Sequence, residues 1–201
     1  MWGGLSGPPA GPKNSGASTL GARTLRVRRR LFGPGVRFGY GPCPMREFSD
    51  DLSPAEKKVL QDVLEEGVHI VHVPHSEDGP GFSATIGLWF HFEQPEVIVF
   101  GMPEPVADDL LNAVTDAADE GKRFKHGEDH KDLFVGYSVR FLDVPKEKVA
   151  DYLGTAQWAY DSTEFPVVQL VWPDKQQRWP WQEGVRDGFR ESQPILGSHE
   201  A

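Results

Sequence analysis

The chain has very little cysteine: its single thiol, Cys43, lies near the N-terminal end, and residues 45–201 contain none. This absence excludes disulfides, a thiolate nucleophile and cysteine metal ligands from residues 45–201. It is typical of a reducing compartment, so we expect a cytoplasmic location. The sequence also lacks an apolar run long enough to cross a membrane and an apolar core of a secretory signal, so we expect no membrane partner.

Residues 1–44 lack any acidic residue and contain seven lysines and arginines, whereas the whole chain has a net charge of −9. Their many glycines, prolines and serines predict a disordered basic extension. Three interpretations stay open: a basic arm carried by Arg26–Arg30, a transit peptide, or a stretch that is not translated because the protein starts at Met45. The abrupt charge reversal at Met45 favours the last. The remaining residues are strongly acidic, which predicts that they bind no nucleic acid.

Residues 45–201 are predicted to form a single α+β domain. Ser53, Pro54 and Glu56 form a capping-box pattern that predicts the first helix, and Gly67 is placed to end it. Two further helices are predicted at residues 103–121 and 145–153, the second of them short. Strands are predicted at 68–73, 82–88, 96–101, 133–144 and 167–172, and a charged loop at 122–131. The order predicts a mixed, mostly antiparallel sheet with two main helices and one short helix.

Short blocks rich in glycine, proline and aromatic residues follow one another from residue 67 to residue 197: Gly67-Val68-His69-Ile70-Val71, Gly79-Pro80-Gly81-Phe82, Thr85-Ile86-Gly87-Leu88, Pro95-Glu96, Phe100-Gly101, Leu111-Asn112, Ala156-Gln157-Trp158, Gln169-Leu170-Val171-Trp172-Pro173-Asp174, Pro180-Trp181 and Gln193-Pro194. In this order they resemble a bacterial family known only as domain of unknown function 4262. That resemblance implies domain boundaries and no activity. The hairpin and its aromatic turn also resemble the opening of flavin-binding split-barrel reductases, which would imply a flat cofactor.

Three polar residues of the predicted strands are candidate ligand-binding residues. Ser83 and Thr85 share one strand face, but they do not form a nucleophile elbow, and the sequence does not say which histidine or acid would activate them. They could instead bind a ligand or neighbouring backbone groups. Glu96 opens an apolar strand, where an unpartnered carboxylate would be costly. It could bind backbone N–H groups at a turn, pair with Arg140, or act as a general acid or base.

His69, His72 and His75 suggest a metal site by their spacing. Because residues 68–73 are predicted to form a strand, His69 and His72 should point to opposite faces, and no local three-histidine site should form. Distant His126 or His130 could still complete a site with a carboxylate. We therefore predict no metal centre and keep metal binding as an alternative.

Tryptophans are concentrated towards the C-terminal end of the chain, and three of them, Trp158, Trp172 and Trp181, are candidate ligand-binding residues. They could close the hydrophobic core, or they could form an aromatic wall for a flat ligand or a proline-rich partner. A pocket, if present, is predicted between this segment and the strand at 82–88.

The pattern as a whole favours a non-catalytic cytoplasmic module that binds a small molecule or a protein partner, because no complete nucleophile, metal or phosphate motif is present. An enzyme with a flavin-like flat cofactor on a split-barrel-like sheet is the alternative. A metal-assisted hydrolase is a weaker one. The identity of any cofactor is left open.

Overall fold

The structure, a computed structural model, describes residues 45–77 and 79–199. The predictions made for residues 1–44 lie outside the described residues. Twelve elements follow in chain order: α1 (Pro54–Glu66), β1 (His69–Val73), β2 (Phe82–Ile86), α2 (Leu88–Phe92), β3 (Glu96–Phe100), α3 (Glu104–Asp119), β4 (Asp129–Phe134), β5 (Tyr137–Asp143), α4 (Lys146–Tyr152), α5 (Gly154–Tyr160), β6 (Val167–Val171) and α6 (Asp187–Ser192).

The strands form one six-stranded sheet in the order β1-β2-β3-β6-β5-β4. Only β3 and β6 run parallel, and every other neighbouring pair is antiparallel. The α+β class and the mixed, mostly antiparallel sheet are therefore confirmed. The sheet is open, with β1 and β4 at its two edges, so the split-barrel-like sheet of the flavin alternative is wrong for these residues.

Helices cover both faces of the sheet. The central strand β3 is buried at every position, and its residues alternate between two cores. Ile98 and Phe100 pack with α1, α4 and α5 on one face, whereas Val97 and Val99 pack with α3 on the other. Because a strand covered on both faces has no solvated side, β3 shows a continuous apolar run instead of alternation. The three layers leave the edge strand β1 half-buried beside α1 and α3.

Helix α1 begins and ends where its sequence predicts. The Ser53 side chain accepts from the Glu56 amide at 3.3 Å, and the Ser53 amide donates to the Glu56 carboxylate at 2.7 Å. Gly67 ends the helix at φ 89°, a left-handed conformation that glycine adopts without the Cβ penalty of other residues. These signals lie within a few residues of one another, which is why the sequence suffices here.

The strand predicted at 133–144 is wrong, because these residues form the hairpin of β4 and β5. Gly136 has φ 80° and lies in the turn between the two strands. Val135, predicted to face inward with Val139, is 96% exposed, while Val139 is fully buried. The charged loop predicted at 122–131 also changes, since its last residues already belong to β4.

Short helices account for the other differences. The predicted 82–88 strand ends at Ile86, since Gly87 at φ 128° turns the chain into α2. α5 and α6 were likewise not predicted; α5 directly follows the predicted short helix α4. All three have seven residues or fewer, too short for a helical period to stand out in the sequence. None of the helices within residues 45–77 and 79–199 is long and apolar enough to cross a membrane.

A pair of matched valine substitutions tests the hairpin. We expect Val135→Ala to change the free energy of unfolding by less than about 0.5 kcal/mol, because an exposed turn side chain loses no packing. Val139→Ala should cost about 2 kcal/mol, from the lost methyl burial and the cavity left behind. Urea denaturation of both variants measures this difference. Equal costs for the two variants would contradict the hairpin and favour the single strand.

Candidate functional site

A groove with a volume of about 610 Å³ lies where the β1–β2 turn approaches the start of α3 and the helix α6. The start of α3 and the helix α6 approach each other closely at Gly101. A Cβ built on Gly101 would lie 2.7 Å from the Ser192 carbonyl oxygen. The start of β2 forms the floor through Phe82 and Ser83. The remaining lining residues are Val73, Pro74, His75, Ser76, Glu77, Gly79, Pro80, Gly81, Met102, Pro103, Glu104, Gly188 and Glu191.

The lining of the groove is apolar with acidic groups. Phe82 and Met102 supply apolar surface, and Glu77, Glu104 and Glu191 supply three carboxylates. No lysine or arginine is among the described residues that line it. Such a groove repels anions, and it suits ligands that are neutral or positively charged.

Ser83 is the polar group at the floor of this groove, and it is the start of a hydrogen-bonded chain. The antiparallel register of β1 and β2 places His72 directly opposite Ser83, so their side chains share one face of the sheet. His72 Nδ1 lies 2.8 Å from Ser83 Oγ. His72 Nε2 lies 3.0 Å from an oxygen of Asp108, which α3 brings over the same face.

The order hydroxyl–imidazole–carboxylate determines which ring nitrogen of His72 carries the proton. In a neutral imidazole one nitrogen donates and the other accepts. If the His72 Nε2–H donates to Asp108, then Nδ1 accepts from the Ser83 hydroxyl. In the serine proteases Nε2 of the histidine faces the serine and Nδ1 faces the carboxylate. Here the two nitrogens are reversed, but either nitrogen can take a proton from a serine. Ser83 is 4% exposed, and His72 does not line the groove itself.

Sequence reasoning identified Ser83 but not its two partners. The register of the predicted hairpin would have placed His72 opposite Ser83, since the turn length decides which residues of the two strands pair. No local signal could have identified Asp108, because it lies 36 residues from His72 along the chain and reaches it only through the packing of α3 on the sheet.

Glu96 lies fully buried, away from the groove. Its carboxylate accepts hydrogen bonds from the amides of Gly87 and Trp89, each at 3.0 Å, and from the Thr85 hydroxyl at 2.7 Å. The Tyr160 hydroxyl is a fourth donor. Burial raises the pKa of the Glu96 carboxyl above its usual range, and these donors oppose that rise.

The position of Glu96 indicates a structural role. Its carboxylate lies at the N-terminus of α2, where it satisfies two of the amides that a helix start leaves without partners. Thr85 is tied to the same corner, since its hydroxyl also accepts from the Val97 amide at 2.9 Å. A pairing of Glu96 with Arg140 is wrong, because Arg140 donates to both oxygens of Asp129 at 2.6 and 3.0 Å.

The three candidate tryptophans lie in three different places, and none of them lines the groove. The Arg46 guanidinium lies over Trp158, 5.4 Å from its ring centroid. The Trp172 ring donates to the Phe100 carbonyl oxygen at 3.0 Å. Trp181 is stacked on Trp179 with 5.5 Å between ring centroids. Of the segment that follows β6, it is α6 that contributes to the groove wall.

The histidines are also separated. His69 bonds to Asp62 of α1, while His72 points to the opposite face, as the alternation of a strand predicts. His130 lies on β4, at the far edge of a six-stranded sheet and about 24 Å from β1 at the usual strand spacing. Among the described residues, no group of three or more histidine, cysteine or acidic side chains could hold a metal ion.

A second depression of about 490 Å³ lies between α1 and α3 beside β1. Its carboxylate Asp62 already accepts from Lys58 at 2.8 Å and bonds to His69 at 2.8 Å. Lys58, Asp62 and His69 are thus paired with one another, and Glu66 and Asp116 line the same depression.

Comparison with known proteins supplies one match. The family model described as "Domain of unknown function (DUF4262)" matches residues 62–186, more than half of the chain. Neither the curated proteins nor the solved structures contain a match.

Proposed function

Since the chain belongs to the DUF4262 family, whose description assigns no activity, we propose from the site alone that it is a cytoplasmic module that binds a small molecule in the groove. The observation that carries this proposal is the groove itself, whose volume of about 610 Å³ lies within the range of small-molecule sites. A few convergent polar groups on an apolar lining, as found here, are the usual composition of such sites.

The acidic lining of the groove indicates which chemical class of ligand it would bind. Glu77, Glu104 and Glu191 line the groove together with the apolar side chains of Phe82 and Met102. An amine or a neutral polar compound with an apolar body would satisfy both kinds of surface. A carboxylate or phosphate would face three like charges at short range.

Gly188 offers a direct test, because a Cβ built on it meets nothing within 4 Å and a larger side chain would extend into open space. We expect Gly188→Leu to leave the fold intact and to abolish binding in the groove. The probe is phenethylamine, compared with 3-phenylpropionate, and binding is followed by saturation-transfer difference NMR. The amine should give signals with the natural chain, and the carboxylate should give much weaker ones.

The matched control is Gly154→Leu. Gly154 also lies in a short helix with nothing within 4 Å of a Cβ, but it does not line the groove. Its variant should bind phenethylamine like the natural chain. Binding that survives Gly188→Leu, or that favours the carboxylate, would contradict the proposed site.

A further inference from the structure

We propose that Ser83 is a nucleophile that cleaves a neutral or cationic carboxylic ester bound in the groove. His72 is its general base, and Asp108 is the positioning residue that orients the imidazole. The inference rests on the proposed function, since the ester has to occupy the groove before it reacts.

The geometry places each group on the side where its task requires it. Ser83 lines the groove and His72 does not, and His72 Nδ1 lies 2.8 Å from Ser83 Oγ. In the proposed reaction the ester therefore approaches Ser83 from the groove. Asp108 holds the other ring nitrogen at 3.0 Å, which fixes the ring orientation and would stabilise the imidazolium that forms.

Thr85 shows what a purely structural hydroxyl looks like on the same strand face. Its Oγ1 donates to Glu96 at 2.7 Å and accepts from the Val97 amide at 2.9 Å, both inside the core. It lines no part of the groove. Ser83 differs on each point, because its partner is an imidazole backed by a carboxylate and its residue lies on the groove floor.

The reaction is balanced with water as the only co-reactant. Ser83 Oγ bonds to the ester carbonyl carbon while its proton passes to His72 Nδ1. The bond from that carbon to the alcohol oxygen then breaks, and the alcohol leaves with the proton from Nδ1. Water attacks the acyl-serine, gives one proton to Nδ1, and the acid leaves as the proton returns to Ser83 Oγ.

Diisopropyl fluorophosphate is the first probe, used on the full 201-residue chain. Its phosphorus bonds to the attacking serine oxygen, and fluoride leaves as the serine proton is lost. We expect one adduct in the intact mass, located at Ser83 by peptide mapping. Ser83→Ala should abolish it, and Gly188→Leu should reduce it by blocking the groove. Ser162→Ala, at a serine that does not line the groove and whose hydroxyl accepts from the Glu164 amide, should react normally.

The second probe is p-nitrophenyl acetate, whose hydrolysis separates chemistry from structure. His72→Ala should lower kcat by about 10²- to 10⁴-fold, the usual contribution of a general base. Asp108→Asn should lower kcat by about 10²-fold or more with KM unchanged, because the amide no longer holds the ring as a carboxylate does. Asp108→Glu, which keeps the charge, should recover part of kcat. The anionic mono-p-nitrophenyl succinate should be a poor substrate.

Labelling that is absent from Ser83, or unchanged in His72→Ala, would overturn the nucleophile. Because the adduct at Ser83 is mapped in the natural chain, the first of these two results does not depend on the variants folding. If phenethylamine still binds in the groove of a chain that does not react, the proposed function stands and only the hydrolysis falls. If phenethylamine does not bind and Ser83 does not react, both fall.

Discussion

Glu96→Ala is expected to lower the free energy of unfolding by about 3–5 kcal/mol, a large share of the 5–15 kcal/mol of an ordinary domain. The side chain is fully buried, and four donors converge on its carboxylate. Alanine would remove this acceptor from the Trp89 amide and from the hydroxyls of Thr85 and Tyr160 in a buried site. The Gly87 amide would keep one partner, the Tyr160 hydroxyl oxygen at 2.8 Å. The amides of Gly87 and Trp89 lie at the start of α2, where a helix leaves its first amides without intrahelical partners.

The control for this prediction is Glu147→Ala in the exposed first turn of α4, which should cost at most about 1 kcal/mol from the helix dipole. Tyr160→Phe removes one of the four donors and should give an intermediate loss. Urea denaturation measures all three variants. If Glu96→Ala and Glu147→Ala have equal midpoints, the buried carboxylate does not stabilise the corner between β2 and α2.

Gly87→Ala is expected to destabilise the same corner by about 4 kcal/mol, from backbone strain and overlap together. Gly87 has φ 128°, a backbone conformation that residues with a Cβ rarely adopt. A Cβ there would lie 2.6 Å from the carbonyl oxygen of Gly67, the residue that ends α1. Because this contact is with backbone, no change of rotamer can relieve it. Thermal unfolding followed by circular dichroism measures the loss.

Substitutions at two other glycines separate the effect of backbone strain from that of steric overlap. Gly121 has φ 92° but nothing within 4 Å of a Cβ, so Gly121→Ala should show the strain alone, about 1–2 kcal/mol. Gly154 has neither strain nor a close neighbour, so Gly154→Ala should be neutral or stabilising by up to about 1 kcal/mol. If Gly87→Ala loses no more free energy of unfolding than Gly121→Ala, the end of α1 lies farther from Gly87 than the structure shows.

The parts of the fold that the sequence predicts correctly are those with local signals. The capping box of Ser53 and Glu56 and the terminal Gly67 define α1 within a few residues. The apolar run at 96–101 predicts a strand, and the structure places it in the middle of the sheet with both faces covered. The β4–β5 hairpin was missed because the alternation around Val135 continues across the turn, and only the position of Gly136 in a left-handed turn breaks it.

In the candidate site, too, some properties follow from the sequence and others depend on packing. Ser83, Thr85 and Glu96 were all identified from their polarity inside apolar strands, a property of the sequence alone. That Thr85 and Glu96 belong to a buried corner while Ser83 reaches a groove depends on which neighbours pack against each of them.

By itself the sequence determined the family, the α+β class, the ends of α1 and the polar positions of β2 and β3, because each of these follows from residues close together in the chain. Only the tertiary structure decided that Asp108 reaches His72, that His72 reaches Ser83 and that α6 lines the same groove as that serine. The physical reason is that hydrogen bonds and pockets depend on distances in space. Those distances are set by strand register and by the packing of helices on the sheet, which no short stretch of sequence contains.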